Sequence, residues 1–198
     1  MSTANTLYDE TVVRGRGKLL QTQVIGTPTN GVFIVAPLAD PAFDTFVIEW
    51  YNAIPSADLG FIYARISNNG GVSYDVTESY QWQFAQRYAS HATPGVGAAS
   101  WAAGAGGHRS YFHLTSGLLI GYRCNGLLTF FRGYGNSGIK QFSWVTQGWC
   151  STSGYGHTTT IGSGGHGAMN LPNAIALVIS TGTFTQGTFR TFGLRKGA

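Results

Sequence analysis

Apolar and polar positions alternate with a period of two along most of the chain from Lys18 onward. This alternation predicts β-strands that bury one face and expose the other. No window of roughly 11 residues follows the 3.6-residue period of an amphipathic helix, so we expect little helix. The predicted strands cover residues 18–25, 31–36, 44–52, 60–67, 79–88, 111–115, 117–123, 126–132, 139–147, 174–181 and 187–194.

Turn signals separate these segments. Asn30-Gly31, Asn136-Ser137-Gly138 and Thr181-Gly182 are residue types that favour tight turns. The run from Asn68 to Gly71 follows an alternating segment and predicts the closing turn of a β-hairpin. Many short strands separated by such turns favour an all-β fold, a jelly-roll-like two-sheet β-sandwich.

Two segments do not follow a strand pattern. Residues 89–110 and 148–173 are rich in Gly, Ala, Ser and Thr, and they contain four of the five histidines. We interpret both as long loops, which in a compact domain are usually functional or disordered. Residues 1–17 are polar and predict an N-terminal arm or an edge strand, and we expect residues 18–198 to form a single sandwich domain.

Charge is scarce and unevenly distributed. Charged residues make up 10% of the chain, the net charge is +4, and all eight acidic residues lie within the first 78 positions. Three interpretations stay open: an anionic ligand, a nucleic acid, or the acidic part of one copy packed on the basic part of another. Basic residues scattered singly through strands are not typical of a nucleic-acid interface, which clusters them.

Catalytic chemistry has little support in the sequence. Asp75 and Glu78 are the nearest approach to a carboxylate pair, and they read as turn residues. The histidine pairs 108/113 and 157/166 lack the ligand spacing of a metal site. Ser163 sits in a Gly-rich segment that we interpret as a flexible loop, unable to hold a catalytic triad. We therefore expect no catalytic residue, no metal site and no cofactor.

The two cysteines and the ends of the chain add two expectations. Cys124 and Cys150 either form a disulfide or are free and buried. The sequence shows no secretory leader, and no apolar run approaches the roughly 18 residues of a membrane span. We therefore expect a soluble protein without membrane contact.

Binding is better supported than catalysis. Aromatic residues in or beside the Gly-rich segments can stack on a sugar or anchor a protein interface, with polar neighbours as hydrogen-bond partners. The alternative for Trp101 and Trp149 is that they cap the core, whereas Trp50, Trp82 and Trp144 lie in strand patterns and predict core or sheet-face positions. The candidate ligand-binding residues are Trp101, Tyr134, Asn136, Trp149, Tyr155 and Thr158.

Two blocks of sequence resemble a known class of protein. Residues 43–75 (FDTFVIEWYNAIPSADLGFIYARISNNGGVSYD) resemble a strand and turn pattern of tailed-phage and gene-transfer-agent virion proteins. Residues 171–196 (LPNAIALVISTGTFTQGTFRTFGLRK) resemble the closing strands of the same proteins. The likeness covers about 60 of 198 residues and includes no catalytic motif.

The resemblance implies a structural component of a virion, such as a tail fibre, head spike or head attachment, assembled in the host cytoplasm as a symmetric homo-oligomer. We expect the arm residues Tyr8, Arg14 and Arg16 to contact the particle or a sister subunit, and the two long loops to meet host surface polysaccharide. A purely architectural decoration, collar or adaptor protein is the alternative, and a polysaccharide-degrading enzyme a lesser one. Other virion proteins are the expected partners, and nucleic acid is not.

Overall fold

A computed structural model describes residues 17–34, 38, 40–77, 80–90, 97–100, 111–115, 117–131, 140–150, 156–167 and 172–195, with only the backbone described at 33–34, 87–90, 97–100 and 150. The strands are β1 (Lys18–Val24), β2 (Gly31–Ile34), β3 (Phe43–Pro55), β4 (Ile62–Ser67), β5 (Tyr80–Ser90), β6 (Gly97–Ser100), β7 (Phe112–His113), β8 (Cys124–Phe131), β9 (Lys140–Cys150), β10 (Gly156–His166), β11 (Ala174–Ile179) and β12 (Phe184–Arg195).

These strands form two antiparallel sheets. Among the described residues the large sheet has eight strands in the order β1-β12-β3-β8-β9-β10-β5-β6, and the small sheet has four in the order β2-β11-β4-β7. The described part of the chain contains no α-helix. The predicted all-β, two-sheet sandwich is therefore confirmed.

The core lies between the two sheets. On β3 the alternating residues Phe46, Ile48 and Trp50 have no exposed surface, and on β4 Ile62, Ala64 and Ile66 are equally buried. Burying one side of each strand in this way contributes most of the stability of a sandwich, at about 25 cal/mol per Å² of apolar surface. Trp50 and Trp144 are core residues and Trp82 packs against the core, as their strand patterns predict.

The predicted hairpin after β4 is wrong. β4 pairs with β11 and β7 in the small sheet, whereas β5 pairs with β10 and β6 in the large sheet. The turn from Asn68 to Gly71 therefore begins a crossing between sheets. Gly70 and Gly71 have φ of +73° and +81°, and the Asn173 side chain accepts the N–H of Gly70 at 2.8 Å, which ties the turn to the start of β11.

The two predicted long loops are also partly wrong. Most of the 148–173 segment is strand, because β9 runs to Cys150 and β10 is a full strand of 11 residues. The 89–110 segment contains the end of β5 and all of β6. Conversely, the predicted strand 117–123 is wrong: Leu118 makes only an isolated bridge to Gly60, and a turn follows in which Gly121 has a φ of +76°.

Candidate functional site

The outer face of the large sheet, the side turned away from the small sheet, carries the candidate site. β5, β10, β9 and β8 lie side by side, so residues distant in sequence form straight rows across the sheet. One such row joins Gln83 to Ser163, Ser163 to Ser143, and Ser143 to Thr129 as direct cross-strand partners. Since side chains alternate along each strand, the exposed members of these rows share one face.

A shallow groove of about 560 Å³ crosses these four strands, and we call it the glutamine groove. Three amides and two hydroxyls line it together with three aromatic residues: Gln81, Gln83, Gln141, Ser143, Ser163, Phe131, Trp82 and Phe142. Gly164 and Gly165 also line it, and Gly165, which lies between Gln81 and Gln141, has no side chain and leaves room above the backbone of β10. The ring of Phe131 is 41% exposed, so it is available to a ligand.

None of the described residues that line the glutamine groove is charged. All eight acidic residues precede Tyr80, so the strands that line the groove contain no Asp or Glu. Amide groups both donate and accept hydrogen bonds, and hydroxyls do the same. The groove therefore suits a neutral ligand that is rich in hydroxyl groups and has an apolar face for the ring of Phe131.

A second pocket, of about 360 Å³, lies toward the other end of β9, and we call it the Trp149 pocket. Its side chains are Tyr122, Arg123, Asn125, Gln147, Trp149 and His157. The Trp149 ring lies 5.4 Å from the ring of Tyr122 and 6.4 Å from that of His157, measured between centroids. At this end of β9, aromatic rings beside the cationic side chain of Arg123 are therefore accessible to solvent.

An apolar row separates the two pockets. Leu127, Val145 and Ile161 are direct partners across β8, β9 and β10, and their side chains are 37%, 40% and 55% exposed. Neighbouring exposed apolar side chains on a sheet commonly mark contact surfaces. The face therefore reads, along the strands, as an uncharged polar groove, an apolar row and an aromatic pocket.

A buried Asp–His pair lies at the edge of the core and faces neither pocket's opening. His166 Nε2 is 2.5 Å from an oxygen of Asp75, and the His166 side chain has no exposed surface. Burial and the nearby charge of Lys140 lower the pKa of His166 despite the opposing effect of Asp75. A neutral His166 thus donates its Nε2–H to the Asp75 carboxylate. Burial opposes the ionisation of Asp75, but hydrogen bonds from Thr77 and His166 hold its pKa below the usual value.

The pair ties the crossing between sheets to the large sheet. Asp75 precedes β5, His166 ends β10, and the Asp75 backbone carbonyl accepts the hydroxyl of Tyr80 at 3.0 Å. The same hydroxyl accepts the N–H of Ile66 at 3.0 Å. His166 was interpreted as a loop histidine, and that interpretation is wrong because the residue is the buried end of a strand.

The predicted site residues have different outcomes. Trp149 is half-buried near the end of β9, and its side chain lines the pocket that carries its name. Thr158 points into the sandwich, is 5% exposed and borders a cavity of about 10 Å³, so its expected contact with an external ligand is wrong. The remaining predicted residues lie outside the described ones: Trp101, Tyr134, Asn136, Tyr155, Tyr8, Arg14 and Arg16.

Sequence reasoning missed the glutamine groove. The signal was present in the segments YQWQF (80–84) and QFSW (141–144), where uncharged polar residues alternate with aromatic ones. Ser163 was interpreted as part of a flexible loop, but it lies within β10 on the exposed face. The missing information was which strands pair, since the partners on β5 and β10 are 66 to 86 positions apart in sequence.

The described ranges show neither a metal-binding cluster nor a membrane-spanning helix. No group of three or more His, Cys, Asp and Glu side chains comes together there. Nor does this part of the chain include a helix with the length and hydrophobicity needed to cross a membrane. Cys124 is a free, buried thiol, and the side chain of Cys150 lies outside the description.

Comparison with protein-family models, with curated proteins and with solved structures found no match to this chain.

Proposed function

We propose that this chain is a structural protein of a phage or gene-transfer-agent virion, and that it contacts host surface polysaccharide through the outer face of its large sheet. The virion assignment is supported by the resemblance of residues 43–75 and 171–196 to such proteins. The binding assignment is supported by the chemistry of the glutamine groove. In this proposal the contact surface is a sheet face, in addition to any contribution from the predicted loops.

The glutamine groove is the observation that carries the proposal. Gln81, Gln83 and Gln141 present amides around an opening of about 560 Å³, and the exposed ring of Phe131 lies at its β8 side. A sugar offers hydroxyl groups to amides and an apolar ring face to an aromatic side chain. Both types of partner are held on paired strands, which position side chains more rigidly than loops do.

Binding without cleavage agrees with the residues that line the groove. Hydrolysis of a glycosidic bond normally uses two carboxyl groups on either side of the bond. β5, β8, β9 and β10 contain neither Asp nor Glu. The role we assign to the groove is therefore recognition.

The test is a binding assay on a panel of bacterial capsular and O-antigen polysaccharides. We expect the purified protein to bind at least one of them, and the double variant Gln83→Ala/Gln141→Ala to weaken that binding about tenfold or more, which corresponds to about 1.4 kcal/mol. Gln186→Ala is the matched control, because Gln186 is an exposed glutamine on β12 outside the groove. No binding to any polysaccharide, or equal weakening by the control, would overturn the proposal.

The apolar row favours a second candidate, a purely architectural role. Leu127, Val145 and Ile161 would then be covered by another subunit of the virion, because exposed apolar rows are typical of subunit contacts. In that case Val145→Glu lowers the solution mass from oligomer to monomer, while the groove variants change nothing. An unchanged mass in Val145→Glu argues against this candidate.

A further inference from the structure

The Trp149 pocket differs from the glutamine groove in charge as well as in its aromatic wall. Arg123 and His157 are exposed in the pocket, and no acidic residue lies on β8, β9 or β10. We propose that this pocket is a subsite for a carboxylate-bearing sugar, the acidic residue of a polysaccharide whose neutral part lies in the glutamine groove. This inference rests on the proposed function and adds the class of sugar.

The aromatic side chains give the pocket its shape. Trp149 and His157 are direct cross-strand partners on β9 and β10, and their rings stand at 87° to each other. On the other side the Tyr122 ring is inclined at 40° to Trp149, and Tyr122 is 47% exposed. Two inclined rings leave an apolar surface on which a sugar ring can lie.

The polar groups of the pocket are mainly hydrogen-bond donors. Arg123 supplies a guanidinium, whose planar donors match a carboxylate in a two-point contact. The Oδ1 of Asn125 already accepts the N–H of Asn52 at 2.8 Å, so the amide offers its Nδ2 donors to a ligand. Such a donor-rich surface is better satisfied by a ligand with charged acceptors than by hydroxyl groups alone.

The nearby carboxylate of Asp58 is engaged by the backbone. The carboxylate of Asp58, which approaches the turn before Tyr122, accepts the N–H of Ile120 at 2.7 Å and is thus held by the turn itself. β8, β9 and β10, which carry most of the pocket, contain no carboxylate, so the positive charge of Arg123 favours anions there.

The spacing of the two pockets lets one chain occupy both. Ser143 lines the groove, Gln147 lines the Trp149 pocket, and the two are four positions apart on β9. At about 3.3 Å per residue this separation is about 13 Å, and the apolar row around Val145 lies between. An extended oligosaccharide that follows the strands would meet the groove, the row and the pocket in turn.

The test compares two forms of one probe: an oligosaccharide that contains glucuronate and the same oligosaccharide with its carboxylates chemically reduced to alcohols. For the unmodified protein we expect the carboxylate form to bind about tenfold more tightly, and the preference to shrink as salt is raised. Arg123→Gln should bind both forms equally. Trp149→Ala should weaken both forms, with its thermal unfolding midpoint checked against that of the unmodified protein.

The groove variant separates this inference from the proposed function. Gln83→Ala/Gln141→Ala should weaken both forms and keep the preference for the carboxylate. Equal binding of the two forms by the unmodified protein, or a preference that survives Arg123→Gln, would overturn the acidic subsite while leaving the groove intact. Binding that depends on Arg123 but not on the groove glutamines would overturn the proposed groove instead. Failure of both probes to bind would overturn the subsite.

Discussion

The indole of Trp144 lies directly over Gly162, its cross-strand partner on β10, so that a Cβ at position 162 would come within 2.2 Å of the ring. Trp50 and Gly126 repeat the arrangement on β3 and β8, with a corresponding distance of 2.1 Å. In both places the large ring fills the space that the glycine leaves open. Glycine within a strand lacks a side chain to pack, so this contact stabilises the strand at that position.

The first prediction follows from this contact. Gly162→Ala forces the methyl group against both the Trp144 ring and the backbone oxygen of Gln83, so it should lower the free energy of unfolding by about 2 kcal/mol or more. Gly167→Ala is the control, since a Cβ there has open space, and it should change stability by less than about 0.5 kcal/mol. Urea unfolding of the two variants measures the difference, and equal stability would contradict the packing described.

The second prediction concerns acid stability and His113. This ring packs among Phe61, Trp82 and Phe84 at centroid distances of 4.3, 5.5 and 5.4 Å, and burial lowers its pKa to about 4. The folded state therefore favours the neutral ring. Its contribution to stability is fully present above the unfolded pKa of about 6.5 and is lost as the pH falls toward 4.

Replacement of His113 by Phe should keep the ring contacts and remove this titration. Between pH 6.5 and 4 the unmodified protein should then lose up to about 1.4 kcal/mol per pH unit more than His113→Phe does. Unfolding free energies measured at several pH values test this. Parallel curves for the two proteins would show that His113 is not held neutral.

The third prediction concerns the Asp75–His166 pair. Asp75→Ala leaves the buried Nε2–H of His166 and the N–H of Thr77 without the acceptor they have now, so it should cost about 2 kcal/mol or more. Asp75→Asn retains an oxygen acceptor and should cost clearly less. If both variants are as stable as the unmodified protein, the pair does not hold the crossing to the large sheet.

The fourth prediction concerns Cys124. Burial raises the pKa of this thiol to about 12, so it is protonated as well as inaccessible at ordinary pH. In a Cys150→Ser variant, in which Cys124 is the only thiol, a thiol reagent at pH 8 should react only after urea is added. Rapid reaction in the folded state would contradict the buried position.

Alternation of apolar and polar residues predicted most strands because burial of one face is a local property of the sequence. It failed at β10, where GHTTTIGSGGH contains a single large apolar residue. The inner face of this strand is completed by its neighbours: Trp144 covers Gly162, and Phe112 lies within 2.9 Å of a Cβ placed on Gly164. A strand whose packing is supplied by other strands has no apolar pattern of its own to detect.

The second limit on prediction from the sequence was strand pairing. The turn after β4 has residues typical of a hairpin, yet the chain crosses to the other sheet, because β4 finds its partner in the distant strand β11. The glutamine groove depends on that crossing, since it brings Gln83 beside Ser163. Trp149 could be proposed from its type and surroundings alone, whereas the groove residues only become a group once the strand order is known.

The most direct test of the central claim is side-chain footprinting of the protein, alone and with the panel polysaccharide that it binds most tightly. We expect oxidation of Phe131, at the edge of the glutamine groove, to fall when the polysaccharide is bound. Oxidation of Tyr63, on β4 in the small sheet, should stay the same. Protection of Tyr63 with Phe131 unchanged would contradict the claim that the outer face of the large sheet is the binding surface.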